Sequence, residues 1–202
     1  MKCAICGKKA QYRCARIGKY VCPEHARFEV VARRERGREE SLLIRAATAR
    51  DLPRIEELAL YFGDETEVDC FDRTYDMLQL PAYVACADNE KSLLGEAVGL
   101  LSYAIEGEEL VIVMLNVLPE YQGHGAGRSL LQAAIEEARR HGLSRILVTT
   151  SNDDLPALYL YQSCGFAIFE VVPGRIAKHH GEEIAGFGGI GVRDEIRLQR
   201  RP

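Results

Sequence analysis

Val113-Met114-Leu115-Asn116-Val117-Leu118-Pro119-Glu120-Tyr121-Gln122-Gly123-His124-Gly125-Ala126-Gly127-Arg128-Ser129-Leu130-Leu131 reads as an apolar strand, a proline that ends it, a glycine-rich turn and the start of an amphipathic helix. Such a turn offers unpaired backbone N–H groups and the positive end of a helix dipole, a generic seat for an anion. A tight strand-to-helix connection needs glycine in any case, so the turn alone names no ligand. Working outward, Leu110–Leu118 predicts the strand, and residues 125–141 predict the helix. Its buried face is Leu130, Leu131, Ala134, Ile135 and Ala138, with Arg128, Gln132, Glu136, Arg139 and Arg140 outside. Glu136 and Arg140 are spaced as an i,i+4 pair, and Gly142 is placed to cap the helix. Ser144–Thr150 is a buried β-branched strand, so strand, helix and strand predict a right-handed parallel crossover.

The spacing inside the turn is more specific than its composition. Gln122, Gly125 and Gly127 form Q-x-x-G-x-G, with Val117-Leu118-Pro119 just upstream. A second block, Asp154-Leu155-Pro156-Ala157-Leu158-Tyr159-Leu160-Tyr161-Gln162-Ser163-Cys164-Gly165-Phe166, follows. Together they resemble the acyl-CoA-binding motif and the N-x-x-A-x-x-L-Y-x-x-x-G-F block of the Gcn5-related N-acetyltransferase (GNAT) family, over roughly residues 42–172. The resemblance implies an α/β (α+β) fold, a mixed central sheet flanked by helices. It implies acetyl-CoA as co-substrate and a primary amine as acceptor. It places donor contacts at Leu115, Asn116 and Val117, and at Gln122, Gly123, His124, Gly125, Ala126, Gly127 and Arg128. Backbone N–H near Val117, where a bulge splays the strand, would polarise the thioester carbonyl. Aligned on Gly165-Phe166, Tyr161 takes the tyrosine slot, with Tyr159 two residues out of register. The asparagine slot holds Asp154, while Asn152 stands two residues earlier; both are candidate contacts to the pantetheine arm. The tail, Gly188-Gly189-Ile190-Gly191 followed by Arg193-Asp194-Glu195-Ile196-Arg197-Leu198, resembles an uncharacterised subgroup ending in G-I-P-I-R-D-E-I-E-L, with Gly191 in place of the proline.

The chemistry follows from proton affinities. An alkylamine (pKa about 10.4) must lose a proton to attack, and the leaving thiolate (thiol pKa about 8.5) must gain one. Tyr161, from a group of pKa about 10, is a feasible acid. The base is open. The strand ending Val148-Thr149-Thr150 carries no carboxylate; Glu109 and the run Asp64, Glu65, Glu67, Asp69 are candidates by proximity in the expected fold, beside a water chain. His124 is weighed as a base, but its place within the motif fits solvent or phosphate better. His179 and His180 read as surface residues. Cys70, Cys86 and Cys164 have no mutual spacing and point to no acyl-cysteine step.

The amino terminus is a different unit. Cys3-x2-Cys6, Cys14 and Cys22-x2-His25 supply five thiolate and imidazole donors in a short span, and paired donors two residues apart suit tetrahedral zinc. A segment so short cannot build a core, so metal would supply its folding energy. The pattern resembles HIT and B-box fingers, whose third cysteine has a partner three residues on; Ile17 stands there. The expected ligands of one structural zinc are Cys3, Cys6, Cys22 and His25, with Cys14 as the alternate. Residues 1–40 hold eleven Lys+Arg against five Asp+Glu, a net of +6; the remainder holds fifteen against twenty-five, a net of −10. This asymmetry predicts two units, 1–40 a finger-like module with a charged linker and 41–202 the acetyltransferase domain. The basic finger fits docking to a protein partner better than to nucleic acid, since aromatic residues are few.

At the start of the second unit, Leu42–Ala47 predicts a strand, Thr48 and Asp51 a capping box, and the Ile55, Leu58, Ala59, Phe62 face a helix closed by Gly63. Asp64–Leu80 predicts an acceptor-side wall with a short helix around Tyr75-Asp76-Met77-Leu78. Strands follow at Ala82–Ala87 and Ala97–Ile105, and the last at Glu195–Gln199, with loop 181–191 over the acceptor site. The start Met1-Lys2-Cys3-Ala4-Ile5-Cys6 has no apolar signal core, and no run approaches the ~18 apolar residues of a membrane span. The expectation is a cytoplasmic protein without a membrane partner, its seven cysteines reduced; a homodimer is left open. Two other readings stand beside an active N-acetyltransferase: a catalytically weak acyl-CoA sensor, in which Tyr161→Phe changes nothing, and an adaptor led by the finger.

Overall fold

The computed structural model describes residues 12–14, 19–21, 42–63, 65–89, 92–180 and 184–202. Its elements in order are β1 (Tyr12–Cys14), β2 (Lys19–Val21), β3 (Leu43–Ala46), α1 (Leu52–Gly63), β4 (Glu67–Cys70), β5 (Arg73–Asp76), β6 (Ala82–Asn89), β7 (Ser92–Glu106), β8 (Glu109–Val117), α2 (Ala126–Arg140), β9 (Arg145–Ser151), α3 (Leu155–Ser163), β10 (Ala167–Val172), α4 (Arg175–His180), β11 (Ile184–Ala185), β12 (Gly191–Val192) and β13 (Glu195–Arg200). Seven strands form one mixed sheet in the order β10-β13-β9-β8-β7-β6-β3. Only β8 and β9, joined through α2, run parallel. None of the described helices is long and apolar enough to cross a membrane.

Alternation along the strands divides the core between the two faces of the sheet. Leu110, Ile112, Ile146, Val148, Ile196 and Leu198 pack with Leu130, Leu131, Ala134, Ile135 and Ala138 of α2. Val84, Leu100, Val111, Val113 and Leu147 pack on the other face with Ile55, Leu58 and Ala59 of α1. The helix faces are those the 3.6-residue period predicts. At the entry to α1, Asp51 accepts from the Thr48 backbone N–H (2.8 Å) and hydroxyl (2.9 Å), and Arg45 grips it at 2.8 and 2.7 Å.

Two local expectations fail. Residues around Tyr75–Leu78 are not a helix: β4 and β5 form an antiparallel hairpin, and only Met77–Gln79 makes a single 3-10 turn, capped by Asp76 Oδ1 on the Leu78 N–H. The hairpin turns at Phe71 and Asp72, both with positive φ (49° and 61°), as tight hairpins require. Its apolar residues alternate with a period of two, half-buried Val68 with buried Cys70 and buried Tyr75 with Met77, which a helix cannot satisfy. In α2, Arg140 pairs with Glu137, not Glu136, which instead accepts from Gln132 Nε2 at 3.0 Å. Glu137 is 5% exposed and accepts from the Tyr83 hydroxyl at 2.7 Å, so the exposed Arg140 pairs with a buried carboxylate.

The zinc expectation falls elsewhere. Cys3, Cys6, Cys22 and His25 lie outside the described residues. Cys14 ends β1, which pairs with β2 through Tyr12↔Val21 and Cys14↔Lys19.

Candidate functional site

The site begins where two neighbouring strands part. β8 pairs with β9 only from Glu109↔Arg145 to Ile112↔Val148. Beyond that, β8 stays with β7 as far as Gly99↔Val117, while β9 stays with β13 as far as Ser151↔Glu195. A gap therefore opens between residues 113–117 and 149–151. The bulge responsible lies at Val113, skipped between the pairs Ser102↔Met114 and Tyr103↔Ile112, four residues before the expected place at Val117. Close contact then holds β8 to β7: a Cβ on Gly99 would sit 3.2 Å from Asn116 O and from Val117 Cγ2.

Hydrogen bonding shows which way the free backbone points. Leu118 N–H donates to Val98 O of β7 at 2.8 Å. By strand alternation, the Val117 and Leu115 backbones face away from β7, into the gap. The Val117 carbonyl is already taken, by Gln122 Nε2 at 2.8 Å. Gln122 thus braces the strand end against the turn, which leaves its backbone rather than its side chain for a ligand.

Across the turn, Gly123 (φ 81°) and Gly125 (φ 89°) adopt left-handed conformations in open space, so glycine is needed there for backbone freedom and not for room. Gly125 caps α2, and Ser129 N–H is bonded to Gly125 O at 3.0 Å. The preceding N–H groups of Ala126, Gly127 and Arg128 have no acceptor among the described residues, as at any helix start. Gly127 plays a different part: a Cβ there would meet Leu160 Cδ2 at 3.1 Å, so it lets α2 approach α3. Arg128 is exposed, its guanidinium 3.1 Å from Ser163 Oγ at the end of α3. His124 is exposed at the turn. Leu115 and Asn116 are half-buried, Leu115 packing with the α2-side core.

Tyr161 and Tyr159 separate clearly: Tyr161 is 4% exposed and Tyr159 56%. The Tyr161 ring tilts against Phe166 with centroids 5.8 Å apart. Burial, and then the carboxylate of Asp154, push its hydroxyl well above the ordinary tyrosine value. No hydrogen bond from a described residue reaches this hydroxyl, which the fold buries with its ring.

Asn152 and Asp154, the expected pantetheine contacts, both bond within the chain. Asn152 Nδ2 donates to Gly191 O (2.9 Å), and its Oδ1 accepts from Arg193 N–H (2.8 Å) and Asp194 N–H (2.9 Å). Asp154 caps α3 by accepting from Ala157 N–H at 3.1 Å. Between them Asp153, 8% exposed, accepts from Phe187 N–H at 2.9 Å and from Ser151 Oγ at 2.5 Å. This Asn-Asp-Asp turn fastens the segment 184–194 to the end of β9. Sequence reading gave Asp153 no role of its own, because its partner Phe187 lies thirty-four residues away.

The hairpin β4–β5 is latched to the last strand. Arg197 on β13 bonds Glu195 (2.5 Å), Glu170 (3.0 Å) and Asp72 (2.9 Å), with its guanidinium 5.2 Å from the Phe71 ring centroid, and Arg175 holds Asp72 at 2.6 Å. Glu195 is 5% exposed and faces Ser151 across the strand pair. This cluster ties the tip of β4–β5 to the last strand, and no spacing in the sequence announces it. Glu109 drops out as a base: it opens β8 at the end far from the gap and pairs with Arg145. Glu65, Glu67 and Asp69 are exposed, and Asp64 lies outside the described residues. Burial pushes the Cys70 thiol up to about 12, so it is no nucleophile at neutral pH.

A sequence model of the Acetyltransferase (GNAT) family matches residues 52–166. A Bacillus subtilis protein named as an uncharacterized N-acetyltransferase, YvbK, is 32% identical over 160 residues, covering 71% of this chain and 96% of its own length. Among solved structures, an IAA acetyltransferase from Bacillus cereus superposes with a TM-score of 0.65 at 29% identity, over 80% of this chain and 100% of that one. A Bacillus subtilis acetyltransferase in complex with CoA superposes with a TM-score of 0.60 at 26% identity, over 80% and 99%.

Proposed function

We propose that this chain, which belongs to the Acetyltransferase (GNAT) family and is an N-acetyltransferase of that type, takes its acetyl group from acetyl-CoA and passes it to a primary amine. One observation carries the reading: β8 leaves β9 at Val113, and the gap-facing backbone of Leu115 and Val117 lies just ahead of the turn whose free N–H groups open α2. A pyrophosphate suits those N–H groups and the helix dipole. A pantetheine arm suits the gap, where it can pair with the unmatched edge of β8 as a strand would. The CoA held by a 26%-identical relative of the same fold supports the donor.

In the reaction the amine nitrogen attacks the thioester carbonyl carbon, and the C–S bond breaks as the new C–N bond forms. The Val117 N–H faces the carbonyl oxygen as charge develops on it; a single such donor contributes about 3–4 kcal/mol where it has been removed elsewhere. Tyr161 gives its proton to the departing sulfur. It is protonated throughout the neutral range; burial makes it a weaker acid than a free tyrosine, so the transfer completes only as the C–S bond breaks. The amine nitrogen loses its proton to water as the amide forms, and a proton from water restores the Tyr161 hydroxyl, so the proton count closes.

Residues 1–40 form the second part of the proposal, a zinc module on a charged linker ahead of the catalytic domain 41–202. Three thiolates and an imidazole, Cys3, Cys6, Cys22 and His25 with Cys14 in reserve, match the donor set of closed structural zinc sites. Acetyl-CoA titrated into the protein in a calorimeter should bind, and a turnover screen over amines, polyamines, amino acids and peptides should release free thiol. Failure to bind acetyl-CoA would end the reading at its root. Metal analysis of chelator-free preparations should find about one zinc per chain; none would end the module's assignment.

A further inference from the structure

Two polar side chains stand level with each other on opposite banks of the gap, on the face of the sheet that α1 covers. Asn116 is paired with Leu100, which belongs to the α1-side core, so the Asn116 side chain lies on that face. Leu147 belongs to the same core, and alternation along β9 carries Ser151 to the same side. Ile112 is paired with Val148; counting on from there, and allowing for the bulged Val113, Asn116 comes level with Ser151. We propose that these two residues seat the acceptor nitrogen, each accepting one N–H of a primary amine from its own bank. The proposal rests on the acetyltransferase reading and adds to it the face by which the acceptor enters and the groups that select it.

Both side chains have hydrogen-bonding capacity to give. No hydrogen bond from a described residue reaches the Asn116 side chain, which leaves its amide oxygen to accept. Ser151 spends its hydroxyl hydrogen on Asp153 Oδ1 at 2.5 Å, so what its oxygen has left is a lone pair. Asn116 and Ser151 are half-buried, whereas Val113 and Leu147 on the same face are buried. The face therefore opens where the two acceptors stand. Polar groups on an apolar face cost free energy until they are bonded, and one amine nitrogen between the banks satisfies both.

The chemistry also leaves this face to the amine. Tyr161 belongs to the core on the α2 side, so the proton for the departing sulfur comes from there. A nucleophile and that donor reach one carbonyl carbon from different directions. The level suits attack as well. Asn116 is one residue from Val117, about 3.3 Å along the strand, and a nitrogen ready to attack stands about 3–3.5 Å from its carbon. With both N–H groups of a primary amine held, its lone pair is left to turn toward the carbonyl. A secondary amine has one N–H, so it satisfies one bank and presents a carbon substituent to the other.

The test assays the full chain with the primary amines of the turnover screen and with the N-methyl counterpart of whichever reacts fastest. The unaltered protein should favour the primary amine. Asn116→Ala breaks no bond to a described residue, so its melting temperature should hold. Its kcat/KM for the primary amine should fall about 3- to 10-fold, and the preference over the N-methyl amine should shrink by a similar factor. Ser151→Ala should shift both in the same way, with its melting temperature reporting the lost Asp153 bond. Acetyl-CoA affinity, measured by calorimetry, should not move in either variant. Unchanged kcat/KM in Asn116→Ala, or a fall that leaves the preference intact, overturns the seat. A loss of acetyl-CoA affinity in step with kcat/KM also overturns it, by giving Asn116 to the donor. So does a protein that binds acetyl-CoA and turns over none of the amines. Failure of the unaltered protein to bind acetyl-CoA sinks instead the acetyltransferase reading beneath the seat.

Discussion

Tyr161 shows how one residue's setting decides its use. It sits two positions from an exposed tyrosine on the same helix, yet Tyr161 is buried, and burial holds its hydroxyl above the ordinary tyrosine value. Replacing it with phenylalanine removes the proton and little else. The expected result is a kcat lower by about 10²-fold with the acetyl-CoA dissociation constant nearly unchanged. Unchanged kcat would instead take Tyr161 out of the proton transfer. Asn152 makes the opposite case. Asn152→Ala deletes three bonds to the 191–194 backbone, so thermal stability should fall, by about 1–3 kcal/mol, while acetyl-CoA affinity stays put. A large loss of acetyl-CoA affinity at unchanged stability would return Asn152 to the donor site. Gly125→Ala forces a side chain into φ 89°, a strain of about 1–3 kcal/mol, at the point where the phosphate seat is built. Calorimetry should show weaker acetyl-CoA binding.

Among the elements, α2 was legible because its apolar residues keep a helical period over four turns. The hairpin β4–β5 was not. Its turn is Phe71-Asp72, not one of the asparagine–glycine pairs that announce a tight hairpin, and what holds its tip is Arg197, more than a hundred residues downstream. The contact between α2 and α3 rests on the absence of a side chain at Gly127. Gly127→Ala should be close to neutral, because Leu160 needs to yield only a few tenths of an ångström and alanine favours the helix by about 1 kcal/mol. Gly127→Val should cost about 1–3 kcal/mol by overpacking, read as a lower denaturant midpoint.

For the molecule as a whole, Glu137 joins α2 to two central strands. Burial pushes its carboxyl up, but hydrogen bonds from Arg140, Tyr83 and Tyr103 outweigh this and hold it at about 2, below the ordinary 4.5. A carboxyl depressed in the folded state contributes stability in full above the unfolded pKa and loses it as pH falls toward the folded one. The protein should therefore lose stability between about pH 5 and pH 2, and Glu137→Gln should flatten that limb of the pH–stability curve while lowering stability at pH 7. An unaltered acid limb in the variant would remove Glu137 from the account.

Local order was written along the chain. An apolar run, a proline, two left-handed glycines and a 3.6-residue stripe each act within a few residues, so strand, turn and helix could be named from Val113–Leu131 alone, and the tyrosine slot from its distance to Gly165-Phe166. Pairing between distant segments was not readable in this way. The departure of β8 from β9 at Val113, the grip of Asn152 and Asp153 on the segment that follows Ile184, and the latch from Asp72 to Arg197 all join groups tens of residues apart. Side chains of those types make such bonds anywhere. Which of them meet is decided by the register of the sheet and the packing on its two faces, and that is settled only when the whole chain has folded.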